Sequence, residues 1–339
     1  MKTLITADWH LDENPINEYR WKFLSWLSDY VDNNNIERIV FLGDLTERKD
    51  RHSSKLVNKI FDYFVELTKK CYIVFVKGNH DFSTEIPFFS FIGRLNNVMF
   101  VNNFVNRNGF KSGLEELFIG YMNEQGWEEN KDVIMNLVKN PEKTIVFTHQ
   151  HLKGLFINNA DTGGDIDLKF FKNFKYVFSG HIHQNMEIEN FIYVGSPYQV
   201  DFGDENNGFI YILDGDNLEK IKYETISKLS IVLNDVSEVE NYKIKKDDLV
   251  KVKLYTNRTD LSKINELRKE IKSHIDKNGG KLVSFDFVSD NKPIQIETIK
   301  NETDEEIITK FCKNNNLSDE FLRIAFDMLN EYRGDLYGN

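Results

Sequence analysis

Five short segments of this 339-residue chain place metal-ligating side chains directly after apolar runs: Asp8-Trp9-His10, Gly43-Asp44, Gly78-Asn79-His80-Asp81, Thr148-His149 and Gly180-His181-Ile182-His183. Six of the eight histidines lie in or beside them, namely His10, His80, His149, His151, His181 and His183. One histidine after a strand is ordinarily a capped or hydrogen-bonded residue. So many imidazoles and carboxylates at the ends of separate buried strands are different, because burying polar groups without partners costs stability. A metal centre supplies the missing partner. The donors are oxygen and imidazole with no thiolate, a set that suits Mn²⁺, Fe²⁺ or Zn²⁺ and disfavours soft copper. Seven candidate ligands are too many for one ion with an open position. They suit two ions about 3.5–4 Å apart that share a bridging carboxylate and water, the arrangement that clamps attacking and leaving oxygens in phosphoester cleavage. The residues therefore imply phosphoester hydrolysis.

Such segments need elements that carry them to one edge. The runs LITA (4–7), IVFLGD (39–44), YIVFVKGNHD (72–81), TIVFTH (144–149) and YVFSGH (176–181) read as buried strands. Between the first three, Trp21, Leu24, Leu27, Tyr30 and Val31, then Leu56, Ile60, Phe64 and Leu67, recur at helical spacing. This predicts an α/β layered sheet of βαβ units, in which ligands bind beyond the carboxyl ends of the strands. Turn residues around 204–208 and 214–217 predict a hairpin that closes the first domain. Beyond it, 248–255 alternates like a strand, 260–275 repeats like a helix and 281–288 alternates again, a compact β-α-β unit. Two helices are expected between 303 and 332, with Ile307, Ile308 and Phe311, then Phe321, Leu322, Ile324, Ala325, Met328 and Leu329 in their stripes.

Composition bounds the alternatives. The 43 basic and 54 acidic side chains leave a formal charge of −11, which excludes a basic nucleic-acid coat, while 40% apolar and 13% aromatic residues suffice for a large core. No run of about 18 apolar residues occurs and the N-terminus alternates into Asp8 and His10, so neither a membrane span nor a signal peptide is expected. Cys71 and Cys312 form no C-x-x-C pair, consistent with a reducing cytoplasm, that of the host if the chain is phage-encoded.

The motifs DWH, GD, GNHD, TH and GHIH, in that order over residues 8 to 183, resemble the calcineurin-like metallophosphoesterase superfamily. The resemblance implies a layered β-sandwich flanked by helices. It also implies that Asp8, His10 and His183 hold one metal, that Asn79, His149 and His181 hold a second, and that Asp44 bridges them. His80 would be the catalytic histidine near the leaving oxygen and Asp81 its orienting carboxylate. From the residues alone Asp81 reads equally as a turn residue.

Within the superfamily the chain is similar to the SbcD-type DNA repair nucleases, including phage subunits that work with an SbcC-like ABC-type ATPase. Three features carry this: GSPYQVDFGDEN (195–206), the β-α-β unit in the position of a small DNA-capping domain, and an acidic helical C-terminus in the position of ATPase-binding helices. The implied organisation is a nuclease domain over 1–225, a capping domain over 240–300 and C-terminal helices over 301–339. The implied function is a two-metal DNA exo/endonuclease subunit using Mn²⁺ in repair and recombination, with DNA and the ATPase as partners and a homodimer among the allowed assemblies. A phosphomonoesterase or cyclic-nucleotide phosphodiesterase is the alternative on the same scaffold, though neither needs a C-terminal extension of this length. The chain departs from many cellular members, where Phe-His follows Gly-Asp-Leu and the His helps position the DNA phosphate; here Thr46-Glu47 stands there. Arg48, Lys49, Arg51 and His52 either take over that phosphate contact or form a solvated loop.

Overall fold

The computed structural model describes residues 1–84, 86–108, 114–157, 160–161, 163–164, 166–205, 208–255, 261–288, 304–314, 317–318, 321–327 and 329. In chain order the strands are β1 (Thr3–Thr6), β2 (Arg38–Phe41), β3 (Tyr72–Val76), β4 (Val98–Val101), β5 (Phe104–Asn108), β6 (Glu115–Ile119), β7 (Thr144–Thr148), β8 (Phe156–Ile157), β9 (Ala160–Asp161), β10 (Tyr176–Ser179), β11 (Met186–Ile188), β12 (Phe191–Tyr193), β13 (Phe209–Asp214), β14 (Asn217–Lys222), β15 (Lys228–Leu233), β16 (Leu249–Tyr255) and β17 (Lys281–Val288). The helices are α1 (Glu18–Asn33), α2 (Ser54–Leu67), α3 (Glu124–Asn136), α4 (Leu261–Lys277) and α5 (Asp304–Asn314).

Two six-stranded sheets, ordered β14-β13-β1-β2-β3-β4 and β11-β12-β10-β7-β6-β5, form a sandwich. Their facing sides bury Ile5, Val40, Val74, Phe118, Phe147 and Phe178 in one cluster. Because side chains alternate across a strand, the other faces are apolar too. Leu4, Ile39, Phe41 and Phe75 pack with α1 and α2 on the outside of the first sheet. Leu117, Val146 and Val177 pack with Trp127 and Ile134 of α3 on the outside of the second. Burial on both faces explains why these strands read as unbroken apolar runs. The helices form where the 3.6-residue stripe demands: Leu56, Ile60, Phe64 and Leu67 of α2 are buried, and Ser53 caps its start by accepting from the Leu56 N–H at 3.1 Å. Each fully buried side chain of this kind contributes roughly 1.5–3 kcal/mol.

A polar tie crosses the sandwich at the end where β2 begins. Arg38 of the first sheet donates to both carboxylate oxygens of Glu116 of the second, at 2.7 and 2.5 Å, and both residues are buried. The candidate ligands lie at the opposite, carboxyl ends of the parallel strands.

The hairpin β13–β14 folds as expected and returns to the first sheet, with β13 antiparallel to β1. After it, β15, β16 and β17 make a parallel three-stranded sheet covered on one face by α4 through Ile271 and Ile275. Lys228–Leu233, which precedes 240, is the edge strand of this sheet. Gln199 holds this strand against the sandwich, its Oε1 accepting from the Lys228 N–H at 2.7 Å and its Nε2 donating to the Lys228 carbonyl at 3.1 Å.

Met1–Ser289 form one compact unit and Asp290–Asn339 a second. In the second, α5 and a helical stretch over 321–327 leave Phe311, Phe321 and Ile324 between 42% and 49% exposed. Residues 289–300, 301–303 and 331–339 of the expected segments, and Met328 of the stripe, lie outside the described residues, and so does the side chain of Ile307. No described helix is long and apolar enough to cross a membrane.

Candidate metal centre

The loops that follow β1 and β2 continue the pairing of those strands. Asp8 N donates to Gly43 O at 3.0 Å, His10 N to Asp44 O at 3.0 Å and Leu11 N to Leu45 O at 2.9 Å. The backbone of the functional residues is unusual: Asp8, His10 and Asp44 in these paired loops, and His181 after β10, have φ of 53°, 43°, 58° and 85°. They are four of the eight non-glycine residues at positive φ among those described. Such conformations cost of order 1–3 kcal/mol each and persist only where the surroundings over-determine them. Two glycines make room. A Cβ on Gly78 would lie 2.3 Å from Asp44 Oδ1, and one on Gly43 would lie 2.5 Å from Gly78 N and 2.8 Å from His149 Nδ1.

The donors converge in two overlapping groups, and His183 joins a third with Asp201 and Asp204. Asp8, His10 and His183 bring one atom each within 4.8 Å of one another, and so do Asp8, Asp44 and His149. Asn79 Oδ1 lies 2.9 Å from His149 Nε2 and 2.7 Å from His181 Nδ1. Asp44 Oδ2 lies between the groups, 3.4 Å from His149 Nε2 and 3.6 Å from His10 Nε2. All seven sequence-predicted ligands therefore meet at one edge.

Whether these residues fit metal ions can be judged from what they lack. Asp8 Oδ2 is buried without a hydrogen-bond partner. His10 Nε2 and His183 Nε2 face each other at 3.0 Å, a separation that requires a proton or a cation between two nitrogens. The outward nitrogens are meanwhile occupied: His149 Nδ1 donates to Leu42 O at 2.5 Å, and His183 Nδ1 faces Asp204 Oδ2 at 3.4 Å. This orients the inward nitrogens as ligands. The donor set fits divalent cations.

Electrostatics divide the donors: against burial, Asp44 raises His149 to about 9 and Asp204 raises His183 to about 8, so each of these rings gives up a proton to bind an ion. Burial drives Asp8 up to about 7, and the neighbouring Asp44 charge adds to this against the opposing His149. Burial also favours neutral Asp44, but His149 and His10 outweigh it and hold that carboxyl far below the ordinary range. Burial lowers both His10 and His181, the latter to about 3 with help from His149 and His151, so both stay neutral and available as ligands.

Of the two readings open for Asp81, its hydrogen bonds match the turn residue, and they do not reach His80. The Asp81 carboxylate accepts from Gly78 N at 2.6 Å, Asp44 N at 3.0 Å and Leu45 N at 2.9 Å, so it ties the GNHD turn to the Asp44 loop. His80 Nδ1 instead donates to the Glu47 carbonyl at 2.9 Å, and the His80 N–H donates to Asp44 Oδ1 at 2.7 Å. The ring of His80 lies 4.9 Å from that of His10 at the half-buried rim of the site. Arg48, Arg51 and His52 line a cavity of about 430 Å³ beside Glu47 and Asp12; Lys49 is not among its lining residues, and its carbonyl accepts from His52 Nε2 at 3.2 Å.

Sequence reasoning missed three supporting side chains. Arg20, buried on α1, donates to the His10 carbonyl, to Val200 O at 3.1 Å and to Glu47 Oε2 at 3.3 Å. Glu47 Oε2 in turn lies 3.6 Å from His10 Nδ1. Asp204 meets His183. A charged residue amid the buried Tyr19, Trp21, Phe23 and Leu24 was the available signal for Arg20.

Comparison with known proteins agrees with this site. Residues 1–185, more than half of the chain, match the Calcineurin-like phosphoesterase family. Exonuclease subunit 1 of Enterobacteria phage T4 is 25% identical over 228 residues, covering 61% of this chain and 62% of its own, so the chain spans less than two thirds of that relative. The SbcD subunit of the SbcCD nuclease of Staphylococcus epidermidis is 24% identical over a 360-residue alignment covering 93% of each chain. With its ligand motifs, sandwich and family match in agreement, the chain belongs to the calcineurin-like phosphoesterases, hydrolases of phosphate esters.

Proposed function

We propose that the protein is a DNA nuclease subunit of the SbcD kind, cutting phosphodiester bonds with two Mn²⁺ ions and working with an SbcC-like ABC-type ATPase in repair and recombination. The observation that carries this is the alignment with the staphylococcal SbcD subunit over 93% of both chains, a share too large to stop at the family match over 1–185 and long enough to include the three-stranded sheet. A small phosphomonoesterase has no need of that sheet.

Asp8, His10 and His183 would hold one ion and Asn79, His149 and His181 the other, with Asp44 between them. Bound there, the ions supply an activated water and neutralise charge on the phosphate. The chain does the rest. Because its Nδ1–H is taken by the Glu47 carbonyl, His80 exchanges protons through Nε2, the nitrogen that hands a proton to the leaving hydroxyl. Arg48 and Arg51 anchor a neighbouring phosphate at the mouth of the adjoining cavity. Phe311, Phe321 and Ile324 supply an apolar face for the ATPase.

The test is cleavage by demetallated and reloaded full-length protein of linear, hairpin and circular DNA, with p-nitrophenyl phosphate as control. Expected are DNA products, faster with Mn²⁺ than Mg²⁺ because the four ligand imidazoles suit the former. Rapid monoester hydrolysis with intact DNA would overturn the proposal.

A further inference from the structure

Beside the metal groups, the turn after β12 presents a carboxylate that neither the motifs nor the family match assigns. Asp204 Oδ2 accepts from Val200 N at 2.9 Å and from Asp201 N at 2.8 Å, so its direction is set by the backbone of its own turn. The turn is anchored on both sides. Arg20 Nη2 donates to Val200 O at 3.1 Å, Tyr19 Oη to Gln199 O at 2.7 Å, and Lys228 Nζ to Val200 O at 2.5 Å. Gln199 Nε2 also donates to Asp204 O at 2.7 Å. The carboxylate held in this way lies 3.4 Å from His183 Nδ1, while the other nitrogen of that ring faces His10 Nε2 at 3.0 Å.

We infer that Asp204 is the positioning residue of His183: it fixes the Nδ1–H tautomer and the ring plane, so that Nε2 is presented to the metal shared with Asp8 and His10. This inference rests on the two-metal reading of the site. A carboxylate behind a ligand imidazole makes it a better donor, and losing such a partner lowers metal affinity by roughly 10- to 100-fold. The backbone carbonyl behind His149 does the same work more weakly because it carries no net charge.

The experiment is a Mn²⁺ titration of the demetallated full chain, comparing wild type, Asp204→Asn and Asp201→Asn. Asparagine is isosteric and keeps an oxygen for the turn, so the charge facing His183 is removed with little else. Expected is a roughly 10- to 100-fold weaker affinity for one of two Mn²⁺ equivalents in Asp204→Asn, with the other unchanged and kcat recovered at saturating Mn²⁺. Asp201→Asn, which removes the more exposed carboxylate of the same turn although it too brings an oxygen within 4.8 Å of the His183 and Asp204 donors, should bind as wild type. Equal losses in both variants would mean that bulk negative charge matters and would overturn the positioning role. Unchanged binding in Asp204→Asn would do the same, and so would a third equivalent lost with Asp204, since the side chain would then be a ligand. In the wild-type protein itself, ¹H–¹⁵N spectra should report His183 as the Nδ1–H tautomer; the Nε2–H form would overturn the inference whatever the variants do. A protein that passes these tests yet leaves DNA uncut would sink the nuclease reading alone.

Discussion

The candidate metal edge of the sandwich and the open face of the three-stranded sheet are built on opposite plans. At the metal edge each candidate ligand is held by something besides its strand: Asp44 by Asp81, His149 by the Leu42 carbonyl, His10 by the Arg20 and Asp44 contacts to its backbone. In the three-stranded sheet, Ile231, Leu233, Val252 and Leu254 face α4, while regular pairing sets Ser230 beside Lys251 and Val232 beside Lys253 on the other side. There Val232 is 49% exposed, Lys253 Nζ stands 5.1 Å from the Tyr255 ring, and Lys251 lies 3.7 Å from Asp286. One region spends backbone strain on fixed geometry; the other offers side chains that could be exchanged without disturbing the strands beneath. Chemistry resides in the first, and graded contact suits the second.

The contrast can be broken by mutation. The largest effect is expected from Asp44→Ala, which removes the oxygen standing between both donor groups; metal analysis should find occupancy lost and cleavage abolished. His80→Ala should keep both metals and lose roughly 10²- to 10⁴-fold in kcat, the contribution of a general acid. Metal-depleted His80→Ala protein would make His80 a ligand and move Asn79 out of that role. Gly78→Ala forces a Cβ against Asp44, and thermal melting should report a loss of about 1–3 kcal/mol, in the range of overpacked sites, with weaker Mn²⁺ binding. The smallest effect is expected from Lys251→Glu with Lys253→Glu: a weaker KM for long duplex DNA and a shallower salt dependence, with activity on bis-p-nitrophenyl phosphate unchanged. Equal loss on that small diester would show that the face supports the fold, and the comparison would collapse.

Much of the metal edge was legible because its logic is local. An apolar run such as IVFL ending in Gly43-Asp44 states both the strand and the residue at its tip, and the α2 stripe states which way the helix faces. What escaped depends on distant partners. The sandwich was legible only through the resemblance; that β15 joins the three-stranded sheet, and that Glu47 and Asp204 stand behind His10 and His183, follow from contacts between separate segments, such as that of Gln199 with Lys228. No periodicity encodes them. Asp81 is the instructive case: its place in GNHD suggests a partner for His80, yet its oxygens answer the backbone N–H groups of Gly78, Asp44 and Leu45 that the turn itself exposes.

The Arg38–Glu116 pair bears on how the two sheets are held together. It joins the two sheets at one end, and at the other end the candidate ligands are likewise contributed by both, Asp8 and Asp44 from the first sheet and His149, His181 and His183 from the second. Removing one partner of such a buried pair costs roughly 3–5 kcal/mol. The two layers are thus joined by charged or ligating side chains at both ends of the apolar core they share, and the spacing of the ligands is set from the far edge as well as from their own loops.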